Sequence, residues 1–197
     1  MSTKSKLAYL LSLILLFGAG IWAASQNFLQ SKDLNPHVAL GGEFTLNSHT
    51  GEVSLSDYRG KLVAVYFGFM SCPDVCPTAL SSLSAAMHSL DEEQQAQIQP
   101  LFISVDPGRD TLENMAAFTA YFYPTMKGLS GDLPYLETLT RQYGAYFRHV
   151  ALEDSAMGYT VDHTSRIYLI DREGKLLTTI PHATPVTEII SLLEQSL

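Results

Sequence analysis

The chain contains two cysteines, Cys72 and Cys76, which stand four positions apart directly after an apolar run. That run, Leu62–Phe69, is rich in β-branched and aromatic residues and predicts a buried central strand. A helix is predicted to begin near Pro77, because a proline in the first turn loses no hydrogen bond there. A helix N-terminus favours thiolate over thiol through its partial positive charge and free amide donors. Thiolate is the form that binds metal ions and attacks disulfides, so both kinds of chemistry are open to this pair.

Three interpretations of the cysteine pair compete. A structural disulfide is feasible, because one helical turn leaves the two Cα atoms about 6 Å apart, but its short loop would constrain the unfolded chain little. Thiol–disulfide enzymes of the thioredoxin type generally use Cys-x-x-Cys, whereas three residues intervene here. The extra residue shifts the second sulfur and leaves room for an ion between two thiolates. The spacing by itself leaves the redox and metal interpretations open.

A histidine opposite the cysteines would complete a metal site. Two soft thiolates favour Cu(I), and one nitrogen ligand would make the site trigonal. His163 is the preferred ligand, because it precedes the apolar run Ile167–Ile170 in the loop that faces the helix N-terminus in thioredoxin-like folds. His88 falls about three turns inside the helix after the cysteines, which indicates a surface residue. The remaining histidines are His37, His49, His149 and His182.

The elements that must position these residues alternate between strands and helices. Their order is typical of a thioredoxin-like α/β fold, with a mixed central sheet flanked by helices. The first two central strands need a right-handed crossover and should therefore be parallel. In chain order the predicted elements are a hairpin of Phe44–Leu46 and Glu52–Leu55, a strand Leu62–Phe69, a helix from Pro77 to about Leu90, a strand Leu101–Val105, a helix to about Tyr121 that the capping-box spacing Asp110-Thr-Leu-Glu113 opens, a helix Pro134–Tyr143, a hairpin of Ile167–Ile170 and Leu176–Ile180, and a last helix capped by Thr184-Pro185.

The N-terminal stretch Leu7–Ala24 has 18 residues without a charge and follows Lys4 and Lys6. A helix that rises about 1.5 Å per residue can span a bilayer over that length with help from its flanks. We interpret residues 1–24 as a retained transmembrane anchor, although the small residues up to Ser25 leave cleavage of a secretion signal open. Because the lysines precede the span, the positive-inside tendency places the rest of the chain outside the cytoplasm.

The remainder divides into a linker, residues 25–40, and a single folded domain, residues 41–197. Beyond the anchor the chain holds 10 basic and 20 acidic residues, a formal net charge of −10. Such a surface repels nucleic acid, and no basic run suggests otherwise. It suits a cationic ligand or a basic docking partner.

Three ordered motifs resemble the Sco/SenC proteins over most of the chain from about Gly41. The motifs are Gly68-Phe-Met-Ser-Cys72-Pro-Asp-Val-Cys76-Pro, Val105-Asp-Pro-Gly-Arg-Asp-Thr111 and Val161-Asp-His163-Thr, with Ile167-Tyr-Leu-Ile-Asp171 after them. The resemblance implies a thioredoxin-like fold, an N-terminal anchor, and copper bound by Cys72, Cys76 and His163. The chain departs from the family pattern at Met70, where threonine is common, and at Leu112, where proline is common.

The resemblance also implies a function: a copper metallochaperone that delivers copper to, or matures, the binuclear copper site of cytochrome c oxidase. It would carry one ion per chain, as Cu(I) or Cu(II), and would not be a catalyst in the ordinary sense. The alternative is an enzyme, a thiol–disulfide reductase whose redox pair, Cys72 and Cys76, keeps the cysteines of that site reduced. A peroxidase has only the fold and Thr78 in its favour.

The implied partners are the copper-site subunit of the oxidase, and another copper chaperone or a thiol reductant. No nucleic acid is expected. The leader lacks the long Arg- and Ser-rich segment of mitochondrial import, which favours a bacterial inner membrane with the domain facing the periplasm.

Several polar residues could support the site. Asp74 and Asp162 are candidates to orient the histidine or to meet a partner. Asp106, Arg109 and Asp110 could form an ion pair or cap that shapes the loop beside the site, contributing at most about 1 kcal/mol as a surface pair. Met70 is expected to pack in the core.

Overall fold

The structure is a computed structural model, and it describes residues 40–153, 155 and 157–197. The predicted anchor, residues 1–24, and the predicted linker up to residue 39 lie outside those residues. Within the described part of the chain, no helix combines the length and the apolar character needed to cross a bilayer. The strands are β1 (Thr45–Ser48), β2 (Gly51–Ser54), β3 (Leu62–Gly68), β4 (Ile98–Ser104), β5 (Lys127–Ser130), β6 (Phe147–Ala151), β7 (Tyr159–His163), β8 (Arg166–Ile170) and β9 (Leu176–Pro181). The α-helices are α1 (Val75–His88), α2 (Glu92–Ala96), α3 (Leu112–Phe122), α4 (Leu133–Gln142) and α5 (Val186–Ser196).

Seven strands form a mixed sheet in the order β2-β1-β5-β4-β3-β8-β9. The central strands β3 and β4 are parallel, from Leu62 beside Ile98 to Gly68 beside Ser104. Strand β8 runs antiparallel to β3, and β9 antiparallel to β8. All seven residues of β3 and all seven of β4 are buried, as expected for strands covered on both faces. The predicted parallel pair, the C-terminal hairpin and the mixed sheet are confirmed.

Side chains of β3 alternate between the two faces of the sheet. Phe67 packs edge-on against Tyr143 and Tyr168, with ring centroids 5.7 Å and 5.4 Å away. Tyr66 and Gly68 face the other way, toward the end of the sheet where the cysteines lie. One strand thus builds the aromatic core with one face and the floor of the site with the other.

Helix α1 begins at Val75, two residues earlier than predicted, with Asp74 as its N-cap. Pro77 therefore lies inside the first turn, where the backbone nitrogen has no helical acceptor to lose. The earlier start places Cys76 within the helix rather than before it. Its apolar face carries Leu80, Leu83 and Met87, which are buried.

Strands β6 and β7 form a separate two-stranded sheet, which the sequence analysis did not predict. They pair antiparallel, from Phe147 beside His163 to Ala151 beside Tyr159. Most of their residues are half-buried or exposed, so the strong apolar pattern of a core strand is missing. His163 is the last residue of β7, and its predicted placement in a loop is wrong.

Three further differences follow from weak or competing signals. The short strand β5 and the five-residue helix α2 were not predicted, because neither contains enough apolar residues to show a hydrophobic periodicity. Helix α3 begins at Leu112, and its cap is Thr111, whose hydroxyl accepts the backbone N–H of Asn114 at 3.3 Å. The prediction that Asp110 caps this helix is wrong, because its carboxylate is buried in other contacts. Helix α5 buries Ile189 and Leu193.

Candidate metal centre

The two cysteines lie where β3 ends and α1 begins, and they are not joined by a disulfide. Cys72 stands in the connecting loop, where its backbone N–H donates to the carbonyl of Phe69 at 3.3 Å. The backbone N–H of Cys76 donates to Sγ of Cys72 at 3.4 Å. The side chain of Cys76 is fully buried, whereas Cys72 keeps 9% of its surface exposed. The sulfur of Cys76 therefore lies at the bottom of the site, and the sulfur of Cys72 lies at its opening.

His163 reaches the sulfurs from the hairpin β6–β7. Its Nε2 lies 3.3 Å from Sγ of Cys76, and one ligand atom from each of Cys72, Cys76 and His163 can be chosen so that all three lie within 4.8 Å of one another. The rings of Tyr66 and Phe69 meet the imidazole edge to face, with centroids 6.0 Å and 5.8 Å away. The expected meeting of the three side chains is confirmed.

The opposite nitrogen of the ring, Nδ1, lies 3.3 Å from the carbonyl oxygen of Thr164. A hydrogen bond to that carbonyl puts the ring proton on Nδ1 and leaves the lone pair of Nε2 facing the sulfurs. Metal-binding histidines commonly have this arrangement, because the second hydrogen bond fixes both tautomer and ring orientation.

Gly68 leaves the room that the sulfur of Cys76 occupies. A Cβ built on Gly68 would stand 3.0 Å from that Sγ and 3.0 Å from a ring carbon of Phe102. Real Cβ atoms rarely approach sulfur or aromatic carbon so closely. The absence of a side chain at this strand end is therefore part of the site.

The two thiols differ in acidity. The hydrogen bond with Cys76 lowers the pKa of Cys72 to about 4, and contacts with His163 and the backbone amides of Asp74 and Cys76 act in the same direction against burial. Cys72 and burial together raise the pKa of Cys76. The reduced, metal-free pair therefore holds a thiolate at Cys72 and a thiol at Cys76.

An open cleft of about 280 Å³ lies over the sulfur of Cys72. Its walls come from the loop before α1 and from the hairpin, and it is lined by Phe69, Cys72, Pro73, Asp74, Val75, Thr160, Val161, Asp162, His163 and Ser165. A partner's side chain can therefore approach Cys72 from solvent, whereas the sulfur of Cys76 lies behind that of Cys72.

Neither carboxylate proposed to support the site contacts the imidazole. Oδ1 of Asp74 accepts a hydrogen bond from the hydroxyl of Thr78 at 3.3 Å. Asp162 forms an exposed ion pair with Arg148 at 2.8 Å. The carbonyl of Thr164 takes the orienting position instead, and a role for the two acids in meeting a partner stays a prediction.

The other histidines of the described residues lie away from the sulfurs. His88 is exposed, as predicted, and its Nδ1 lies 2.8 Å from the carbonyl of Ser84. His149 faces Asp106, with 3.6 Å between Nε2 and Oδ1. Among residues 40–153, 155 and 157–197, the two cysteines with His163 are the one cluster of three or more His, Cys, Asp or Glu side chains able to hold a metal. Met70 packs against the core, as expected.

The segment after β4 is more deeply buried than the sequence predicted. Asp106 and Asp110 were expected to form surface contacts, but their exposed fractions are 0% and 3%. Asp106 receives hydrogen bonds from Arg109 at 2.6 Å and from the hydroxyl of Tyr159 at 2.7 Å. The position of Asp106 was the available signal, because this residue stands two positions after the buried strand β4, at the sheet edge where the ends of the parallel strands meet.

The fold and the site together define a thioredoxin-like protein in which two sulfurs and one imidazole nitrogen can hold a soft metal ion. The SCO1/SenC family model matches residues 32–197. A SCO2-like protein of Rickettsia conorii is 37% identical over 142 residues, which cover 72% of this chain and 69% of that protein. The chain therefore belongs to the SCO1/SenC family.

Solved structures share the fold. The structure of ScoI from Bradyrhizobium japonicum with copper bound is 34% identical, with a TM-score of 0.72, over 81% of this chain and all of that one. BsSco is a member of the Sco family of cytochrome c oxidase assembly proteins in which a disulfide switch has been identified. It is 23% identical over 82% of this chain and 95% of its own, with a TM-score of 0.62, a likeness that shows the fold alone.

Proposed function

We propose that this protein is a copper chaperone that binds one copper ion through Cys72, Cys76 and His163 and passes it to the binuclear copper site of cytochrome c oxidase. The observation that carries the proposal is the meeting of two sulfurs and one imidazole nitrogen within 4.8 Å at the end of the central sheet. Family membership and the copper-bound relative support copper as the cargo.

The ligand set suits an ion that must be released. Two thiolates and one imidazole favour Cu(I), and a trigonal site leaves one approach open for a fourth ligand. That approach is the cleft over Cys72, the more exposed of the two sulfurs. A thiolate of the receiving protein enters there and binds the copper ion. The ion then exchanges its ligands one at a time, releasing Cys72 first and Cys76 and His163 afterwards.

Copper stoichiometry of the full-length, reduced protein tests this proposal. One copper per chain is expected, together with thiolate-to-copper charge-transfer bands in the visible spectrum of the Cu(II) form. Oxidation of the two thiols to a disulfide is expected to abolish binding, because thiolate is the ligand form. Unchanged copper affinity in Cys76→Ala or His163→Ala would show that the ligands are wrongly assigned.

A second function, thiol–disulfide reductase, is favoured by one specific observation. Cys72 carries the lowered pKa and is the more exposed of the two cysteines, while Cys76 is a fully buried thiol beside it, an arrangement of attacking and resolving cysteines. The Cys72 thiolate attacks a target disulfide, forms a mixed disulfide and releases one target thiolate. Cys76 then attacks Sγ of Cys72, its proton passing to a target sulfur, so that two electrons reduce the target and Cys72–Cys76 is oxidised. A thiol reductant must then restore the pair.

Loss of the histidine separates the two functions. Reduction of a disulfide-bonded peptide by His163→Ala should continue, because the variant keeps the hydrogen bond with Cys76, the main cause of the lowered pKa of Cys72. Copper binding by the same variant should fail. If His163→Ala lost copper binding and disulfide reduction to the same extent, the reductase activity would not be an independent function.

We also propose that residues 1–24 anchor the protein in a bacterial inner membrane, with the domain in the periplasm. The uncharged stretch Leu7–Ala24 and the preceding Lys4 and Lys6 support this topology. Cell fractionation tests it: the chain should stay with membranes through an alkaline wash, and a protease added to spheroplasts should digest the domain. Recovery of the whole chain in the wash, or protection from the protease, would contradict the topology.

A further inference from the structure

We propose that Asp106 and Arg109 form a clamp that positions His163 over the cysteines, an inference that rests on the proposed copper site. Neither residue is a ligand of that site. Both act through the hairpin β6–β7, whose last residue is His163.

The hairpin needs such a clamp because it is not part of the main sheet. Strands β6 and β7 pair only with each other among the described residues. An isolated two-stranded hairpin is marginally stable in water. Its position against the cysteines must therefore come from side-chain contacts with the body of the domain and from its continuation into β8.

Arg109 makes those contacts with the beginning of β7. Its Nη1 donates to the carbonyls of Tyr159 at 3.0 Å and Met157 at 3.4 Å. Its guanidinium carbon also lies 3.8 Å from the centroid of the Tyr159 ring. Tyr159 and His163 are the two ends of the same strand, so a contact that fixes one end orients the other.

Asp106 anchors the arginine to the sheet. Its fully buried carboxylate accepts Nε of Arg109 at 2.6 Å on one oxygen and the hydroxyl of Tyr159 at 2.7 Å on the other. Its backbone N–H donates to the hydroxyl of Ser104, the last residue of β4, at 3.1 Å. The chain of contacts therefore runs from the central sheet through Asp106 and Arg109 to the hairpin.

The same segment also holds the cysteine loop. Oδ2 of Asp110 accepts the backbone N–H of Met70 at 3.0 Å and the hydroxyl of Ser104 at 2.6 Å. Met70 stands two residues before Cys72. Residues 106–110 thus connect the element that carries the cysteines to the element that carries the histidine, and they set the distance between the two halves of the site.

The test compares Arg109→Met with Arg148→Met in the full-length, reduced, metal-free protein. Arg148 is the matched control, because it lies on the same hairpin but forms its ion pair at the surface. Hydrogen exchange is expected to show that Arg109→Met speeds the exchange of β6 and β7 amides at least about tenfold while β3 and β4 keep their protection. Arg148→Met should leave both sheets as in the wild type.

Copper-loaded protein gives the second readout. Arg109→Met should keep the thiolate charge-transfer bands and lose the histidine-nitrogen signal in the electron paramagnetic resonance of Cu(II). Its copper affinity should fall about 10- to 100-fold, the usual effect of removing a residue that orients a ligand. Arg148→Met should match the wild type in both measurements.

Tyr159→Phe removes one hydrogen bond to Asp106 and keeps the aromatic ring under the guanidinium of Arg109. This variant therefore tests the clamp if Arg109→Met does not fold. It should show a smaller change of the same kind. The clamp is refuted if the folded variants keep wild-type hairpin protection and copper spectra, or if protection falls equally in both sheets. Failure of the wild type to bind copper would refute the proposed function alone, since the exchange comparison is made without metal.

Discussion

Nε2 of His163 lies 3.3 Å from Sγ of Cys76, although 87 positions of sequence separate the two residues. His163 is the last residue of the hairpin β6–β7, and Cys76 is a buried residue in the first turn of helix α1. The contact joins a nitrogen and a sulfur that must both bind one ion if the proposed function is right. Each partner can be removed separately, so the contribution of each ligand can be measured.

Replacing His163 by alanine should weaken copper binding by at least about 100-fold, because a lost ligand costs more than a lost orienting residue. Competition with a Cu(I) chelator measures the effect. The control is His88→Ala, which removes an exposed helical histidine that pairs with Ser84 and lies edge-on to Tyr123, away from the sulfurs. Equal loss of affinity in both variants would mean that His163 is not a ligand.

The alkylation rate of Cys72 should be nearly independent of pH between pH 6 and pH 8. Its pKa is lowered to about 4, chiefly by the hydrogen bond with Cys76, so the thiolate is already formed throughout that range. An ordinary cysteine, with a pKa of about 8.5, reacts about tenfold faster for each unit of rising pH below that value. Mass spectrometry of the metal-free, reduced protein after timed iodoacetamide treatment measures the rate.

Cys76→Ala tests the cause of that acidity. Removing the neighbouring thiol should raise the pKa of Cys72, so the alkylation rate should again climb with pH over the same range. A flat profile in this variant would assign the acidity to His163 and the backbone amides of Asp74 and Cys76, and not to the thiol pair.

Gly68→Ala should destabilise the domain by about 1 to 3 kcal/mol, the usual effect of overpacking a close-packed interior. It should also weaken copper binding, because the new Cβ would stand 3.0 Å from Sγ of Cys76 and displace it. Gly108→Ala is the matched control for the unfolding measurement, since its Cβ would meet nothing nearer than 3.6 Å. Urea unfolding and chelator competition measure the two effects, and an equal loss of stability in the two variants would contradict the packing argument.

Arg109→Met should lower the free energy of local opening of the hairpin β6–β7 by at least about 1.4 kcal/mol, the equivalent of tenfold faster exchange, because it removes the arginine that pairs with the buried carboxylate of Asp106. The free energy of global unfolding should fall by less than about 1 kcal/mol, because a marginally stable hairpin opens and admits water to Asp106 before the central sheet unfolds. Arg148→Met breaks an exposed pair and should change both free energies by less than about 1 kcal/mol. Hydrogen exchange measures the first free energy and denaturant midpoints measure the second. A loss of several kcal/mol in global unfolding for Arg109→Met would show that the pair stabilises the whole domain and not the hairpin alone.

Much of the domain could be predicted because its signals are local. The run before Cys72 is apolar without interruption, which is what a strand covered on both faces requires. The apolar spacing from Leu80 to Met87 follows the helical period. The hairpin β6–β7 could not be predicted in this way, because its residues are mostly half-buried or exposed and its position depends on contacts with a distant loop.

The sequence by itself determined the chemistry of the site: two sulfurs one helical turn apart at a helix N-terminus, a short set of histidines, and family motifs that selected His163. Residue types and local periods are enough for that, since thiolate softness and helix geometry do not depend on the rest of the fold. Only the tertiary structure decided that Thr164 and not Asp162 faces the second ring nitrogen, and that Asp106 is buried. The physical reason is that hydrogen-bond partners and burial arise from elements far apart in sequence, whose approach no local pattern encodes.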